Sequence, residues 1–411
     1  MKPSVLIATT SRWFPTARLA AALASAGCSV DAVCPTGHPM TNLRGMRKTY
    51  TFRGLTALTS FTEAICTTQP DLIVPGDDLA TCHLHSLYQR ELRRGQTGHL
   101  ICALIERSLG SSESFPVVYA RTAFIDLARE AGVRAPKTEE IANGNALKRW
   151  VTSVGLPTVL KANGTSGGEG VRVVHSLEEA EQAFRMLQAP PRLLRAIKRA
   201  VVDRDKTLLW PSLLRHRPAV NAQEFMPGRE ATSAVACWSG SVLASLHFEV
   251  IHKRGAAGPS SVVRLIEHAE MSAAVETMVR RLKLSGLHGF DFMLEADTGA
   301  AYLIEINPRA TQVGHLRLGA GRDLPAALYS ALSGAELRTA PPITENETIA
   351  LFPQEWMRDP ESPFLQSAYH DVPWDDPELL RGFAGKGKQQ GALAFKTKPV
   401  QKLAPVRLPR L

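Results

Sequence analysis

Three oxygen-bearing side chains, Asp291, Glu305 and Asn307, stand at spacings that suit a divalent cation. Glu305 and Asn307 are two residues apart in the run YLIEINPR (302–309), so strand alternation places them on one face. Asp291 lies in the preceding apolar run, and a hairpin through Asp297-Thr298-Gly299 brings it beside them. Carboxylate and amide oxygens are what Mg²⁺ takes, together with water and phosphate. A carboxylate in so apolar a run is costly unless paired or metal-bound. An ion pair between Glu305 and Arg309 is the competing reading.

Two further segments bear on phosphate and nucleoside chemistry. Lys161 ends a predicted strand at 158–161, and Gly164, Gly167, Gly168 and Gly170 follow it closely. Backbone N–H groups in such a loop approach phosphate oxygens without Cβ clashes. No GxxxxGK[ST] occurs anywhere, so this is not a Walker A loop, and a flexible turn is the alternative. In the run QEFMPGRE (223–230), the backbone can offer hydrogen bonds to a purine edge while Glu230 reaches a ribose hydroxyl. An ordinary strand and turn is the alternative there.

The elements that must position these residues read as α/β. Residues 5–8 form a strand, 16–26 a helix stopped by Gly27, and 30–33 a second strand. A third strand, 72–74, ends at Pro75-Gly76-Asp77-Asp78, which is either a helix N-cap or the edge of a ligand crevice. No GxGxxG follows the first strand. A helix is expected over 121–131, ending at Gly132. Beyond about 151–157 the chain turns to strands and glycine-rich turns. The basic, proline-punctuated stretch 186–218 reads as an inserted helical hairpin with an amphipathic centre at 193–202. Strands resume near 223, 235 and 245. A helix at 271–284, a hairpin of 288–294 with 301–306, and a helix at 324–332 complete the pattern.

In this order, the pieces resemble the ATP-grasp superfamily, in the branch of the carbamoyl phosphate synthase large chain and the carboxylate–amine ligases. The resemblance implies a Rossmann-like domain over 1–115 and a two-lobed α+β ATP-grasp domain over 116–340. The small lobe spans about 150–222, and 341–411 form an extension whose segments LFPQEW (351–356) and DVPWDDP (371–377) pack back. It implies that Arg121, eleven residues before Gly132 of a G-x-x-x-P turn (132 − 121 = 11), is the first nucleotide-binding cation, and Lys161 the second. Gly167 and Gly168 belong to the phosphate loop. Gln223, Glu224 and Met226 hold adenine, and Glu230 holds ribose. Asp291, Glu305 and Asn307 ligate Mg²⁺ or Mn²⁺, and Arg309 meets the terminal phosphate or the acyl phosphate. Lys253 or Arg254, on the loop 252–258, adds a phosphate contact. The implied activity is an ATP-dependent ligase joining a small-molecule carboxylate to an amine or thiol, with a homodimer compatible. An ATP-binding sensor without turnover is the alternative.

Two departures narrow this. Many members carry glutamate where this chain has Gln223. The glutamate that biotin carboxylases place just after the arginine is absent after Arg309, and there is no MKM segment, which argues against biotin-dependent carboxylation.

Composition adds limits. The net charge is +9, but Arg381, Lys386, Lys388, Lys396, Lys398, Lys402, Arg407 and Arg410 give +8 with no acid after them, leaving 9 − 8 = +1 for the other 380 residues. A solvated tail is expected. With only Phe383 and Phe395 as rings from residue 381 on, a nucleic-acid surface is disfavoured. No apolar run approaches a transmembrane helix, and membrane-surface contact through the basic stretch 192–199 is a minor alternative. Six cysteines without a CxxC pair suit free thiols in a reducing cytoplasm. His83 and His85 point apart on a helix and read as packing histidines.

Overall fold

The computed structural model of the chain describes residues 2–163, 170–189, 218–255, 258–337 and 340–387. Strand β1 (Ser4–Ala8) is apolar on both sides. Val5 and Ile7 enter one core while Leu6 and Ala8 enter another. Such a strand belongs in a parallel sheet covered on both faces. Helix α1 (Phe14–Ala26) starts with Pro15 in its first turn and stops at Gly27, whose φ of 115° suits only glycine. Then follow β2 (Ser29–Cys34), β3 (Met46–Thr51), α2 (Ala57–Thr68), β4 (Leu72–Pro75), α3 (Asp78–Leu92) and α4 (His99–Leu109). The sheet is parallel throughout, in the order β3-β2-β1-β4.

Helix α5 (Arg121–Glu130) leads to a small lobe of β5 (Thr138–Glu140), α6 (Gly144–Val154), β6 (Thr158–Ala162), β7 (Val171–Val174), α7 (Leu177–Gln188) and β8 (Val220–Glu224). Its antiparallel sheet runs β5-β8-β6-β7. Leu160, Ala162, Val220 and Ala222 face the two helices, packing on Trp150 and Phe184. Asn143 caps α6 and Ser176 caps α7. The lobe therefore takes in residues from 138 onward, before the boundary near 150 read from sequence, because β5 pairs with β8 across the intervening chain.

The large sheet has the order β13-β12-β9-β10-β11-β14-β15. Its strands are β9 (Gly228–Trp238), β10 (Ser241–Lys253), β11 (Ser260–Leu265), β12 (Gly286–Glu295), β13 (Ala301–Asn307), β14 (Thr348–Ala350) and β15 (Tyr369–His370). One face is covered by α5 and by α8 (Ala269–Arg281), through Phe124, Met271, Phe290 and Phe292. The other face shares a core with the N-terminal sheet. Ala234, Leu246 and Phe248 join Val5, Ile7, Leu19 and Leu328 of α9 (Leu324–Ser333). Residues 341–387 complete this core with Phe352, Val372 and Leu379, and Arg18 is paired with the buried Asp371. No helix among the described residues is long and apolar enough to cross a membrane. The six cysteines are free. Gly167, Gly168, the amphipathic segment 193–202 and the tail from 388 lie outside the described residues.

Candidate active site

The β12–β13 hairpin forms as its sequence suggests, and Asp291 pairs directly with Glu305 and Gly289 with Asn307. The next pair is Phe292 with Leu303, so Ile304 is an extra residue in the ladder. This bulge inverts the phase of the strand. Leu303 and Ile306 enter the core, while Glu305 and Asn307 emerge with Asp291 on the opposite face. Asn307 Nδ2 donates to Asp291 Oδ2 at 2.8 Å, and Thr232 Oγ1 donates to Asp291 Oδ1 at 2.8 Å. Gly289 has no side chain for a reason. A Cβ there would stand 2.3 Å from Thr311 Cγ2, in the turn that follows Asn307.

Positive groups converge on these oxygens from three elements. Arg121, the first residue of α5, places Nη1 at 2.9 Å from Glu305 Oε2. Lys161 projects from the small lobe, 7% exposed, near enough that Glu305, Arg121, Asp291 and Glu230 all act on its charge. Burial pushes its amine down to about 8. Arg309 does not pair with Glu305. Its Nε donates to Asp78 Oδ1 and its Nη2 to Asn307 Oδ1, both at 3.2 Å. Burial, then the Glu305 charge, raises the Asp291 carboxyl. Burial also works against the Glu305 carboxylate, but Arg121, Lys161 and Arg309 outweigh it and hold that group below its ordinary value. Protein cations thus hold one carboxylate charged, while burial and the neighbouring charge prevail at the other. Two carboxylates and an amide oxygen in register on adjacent strands fit Mg²⁺.

The residues expected at the nucleoside lie at the junction of the lobes. Gln223 is buried, its Nε2 donating to Thr138 Oγ1 at 3.0 Å, on the opposite side of β8 from Glu224. Glu224 N donates to Lys137 O, and Lys137 N to Glu224 Oε2. Met226 is nearly buried in the linker from β8 to β9. Glu230 and Lys253, expected at ribose and phosphate, are an ion pair at 2.5 Å.

Three residues of the site were not singled out from sequence, and a fourth, Asp78, only within a turn. Asn221 pairs with Lys161 across β8 and β6, and its buried Oδ1 has no hydrogen-bond partner among the described residues. Thr232 supports Asp291 and is recognisable only once β9 is registered against β12. Asp78 was legible as part of the PGDD turn. There Asp77 is the N-cap, receiving Ala80 N, which leaves the Asp78 side chain free for Arg309. Trp13, the N-cap of α1, lies with its ring centroid 5.8 Å from the Arg309 guanidinium. His83 packs near Phe52 and Phe61, and His85 stacks on Phe115 at 3.8 Å, as packing residues do.

Residues 123–313 match the family model described as an ATP-grasp domain. Over that stretch the chain is similar to ATP-grasp domains. The match includes Lys161, Asp291, Glu305, Asn307 and Arg309 and begins two residues after Arg121. Over 252 residues the chain is 23% identical to the carbamoyl phosphate synthase large chain of Kineococcus radiotolerans, covering 59% of this chain and 21% of that one. Over 133 residues it is 31% identical to the phosphoribosylamine–glycine ligase of Ralstonia nicotianae, covering 32% and 26%. The chain thus spans about a fifth to a quarter of the length of these curated relatives. In structure it is similar to the biotin carboxylase domain of a 2-oxoglutarate carboxylase from Hydrogenobacter thermophilus, solved with MgADP. The TM-score is 0.57 at 14% identity, covering 83% of this chain and 72% of that one. That likeness carries the fold: a parallel N-terminal sheet, then the two lobes of the ATP-grasp domain.

Proposed function

We propose that the protein is an ATP-dependent ligase that activates a small-molecule carboxylate as an acylphosphate and passes the acyl group to an amine. The observation that carries this reading is the in-register set Asp291, Glu305 and Asn307, faced by Arg121, Lys161 and Arg309. ATP lies between the small lobe and the large sheet, its adenine against Gln223, Glu224 and Met226 and its ribose at Glu230. Lys253 contacts phosphate. Asp291, Glu305 and Asn307 hold Mg²⁺ or Mn²⁺, which when bound neutralises charge on the phosphates.

A carboxylate oxygen of the substrate attacks the γ-phosphorus, the bond to the bridging β–γ oxygen breaks, and ADP leaves. The amine nitrogen then attacks the acyl carbon, a C–N bond forms, phosphate departs, and the nitrogen's proton passes to solvent. Arg121, Lys161 and Arg309 stabilise the transferring phosphoryl group electrostatically, so little covalent chemistry falls to the protein itself.

The experiment is release of ADP and phosphate with Mg²⁺ and a panel of carboxylates and amines. Turnover that requires both co-substrates and disappears in Glu305→Ala is the expected result. Normal turnover in Glu305→Ala would overturn the metal assignment, and tight ATP binding with no turnover across the panel would overturn the ligase.

A further inference from the structure

We propose that Asp78 and Trp13 of the N-terminal unit are positioning residues for Arg309, setting the orientation from which its guanidinium meets the terminal phosphate. This rests on the nucleotide reading above. Arg309 sits just past the metal-ligand candidates, and an unrestrained arginine gives up rotamer freedom when a ligand immobilises it. Here three groups already hold it. Nε donates to Asp78 Oδ1, Nη2 to Asn307 Oδ1 and Nη1 to Ala310 O, each at 3.2 Å, with the Trp13 ring beside the guanidinium.

The backbone around Arg309 is fastened to the same N-terminal turn. Ala310 N donates to Pro75 O at 3.0 Å, and the buried Thr81 Oγ1 donates to Pro308 O at 2.8 Å. Asp78 is itself fixed at the start of α3, behind the Asp77 cap, which also receives Thr9, Thr10 and Ser11. Its carbonyl accepts Tyr119 Oη at 3.3 Å, two residues before Arg121. One aspartate thus reaches both arginine-bearing segments, its side chain on Arg309 and its backbone on the lead-in to Arg121.

Magnitudes favour positioning over stability. The Asp78 side chain is 34% exposed, and ion pairs of that exposure contribute little to folding. The orientation of a charge that meets a phosphate is worth more, because the contact forms in a site with little water.

The test is calorimetric titration with Mg²⁺–AMPPNP and with Mg²⁺–ADP, which lacks the terminal phosphate. The proteins are wild type, Asp78→Asn, Trp13→Leu, Arg309→Ala and Asp78→Asn/Arg309→Ala, each checked by thermal melting. Asp78→Asn is expected to lose roughly fivefold to tenfold in AMPPNP affinity, keep its ADP affinity, and add nothing in the Arg309→Ala background. Trp13→Leu should behave alike and carries the test if Asp78→Asn does not fold. Equal losses for both nucleotides, an undiminished loss without Arg309, or a gain in AMPPNP affinity would overturn the proposal. A wild-type chain that bound neither nucleotide would instead overturn the proposed function, and this inference with it.

Discussion

Glu305 stands directly across the β12–β13 pair from Asp291, and it faces outward only because Ile304 is an unpaired residue in the ladder. Without that bulge, Glu305 would share a face with Leu303 and enter the core among Phe290 and Phe292. The bulge delivers two carboxylates to one face, away from the core that Leu303 and Ile306 enter. Their environments then diverge, because Arg121, Lys161 and Arg309 offset burial at Glu305, while at Asp291 burial and the Glu305 charge prevail.

Lys161→Ala and Arg121→Ala should each lower the rate of ADP release by roughly 10²–10³, as loss of a preorganised charge does. The double variant should fall by less than the product, since both cations act on Glu305. Steady-state kinetics of the three variants checks this.

Thr232→Val leaves Asp291 Oδ1 without its donor while nearly preserving shape. Support of this kind is worth about 10–100-fold in metal affinity. The Mn²⁺ dissociation constant, measured in the presence of AMPPNP, should rise by about tenfold at unchanged thermal stability.

Gly289→Ala should lower both the melting temperature and the affinity for Mg²⁺–AMPPNP, because the new Cβ collides with Thr311 Cγ2 and displaces the turn after Asn307. Thr311→Ser removes that methyl and keeps the hydroxyl. The double variant should recover most of the loss, whereas an equally impaired double variant would place the strain elsewhere.

A pH dependence of stability arises outside the candidate site residues. Glu355 is fully buried, and although burial opposes its charge, Arg358 and Ser362 hold its carboxyl down to about 2 from 4.5. A depressed carboxyl contributes stability above its unfolded value that is lost as pH falls through the folded one. Glu355→Gln should therefore unfold at lower denaturant than wild type at pH 7, and the gap should narrow as pH falls from about 5 towards 2.

Much of the candidate site's geometry was legible because its pattern is local. Asp291, Glu305 and Asn307 are readable from a hairpin whose turn and alternation are both written in adjacent residues, whereas Arg121 came only through the family resemblance. Helix α7 was not read from the sequence, where strands and glycine-rich turns were expected beyond about 157; its signal, Ser176 accepting Glu179 N and Glu179 reaching back to His175 N, is in polar residues at the cap rather than in a long apolar run. The edge strand β5 was not readable. Three residues, two of them exposed, become a strand only when β8 lies alongside.

What the sequence determined by itself, then, was the alternation of strand and helix, the order of the phosphate and metal segments, and the residue types able to serve them. Tertiary structure decided which carboxylate each cation meets. Sequence proximity favoured Arg309 for Glu305, only four residues away. In the fold Arg121, 184 residues earlier (305 − 121 = 184), takes Glu305, while Arg309 turns to Asp78. The reason is physical: an ion pair forms between groups that packing brings within about 4 Å. The shared core of the N-terminal and large sheets, rather than the spacing along the chain, sets those distances.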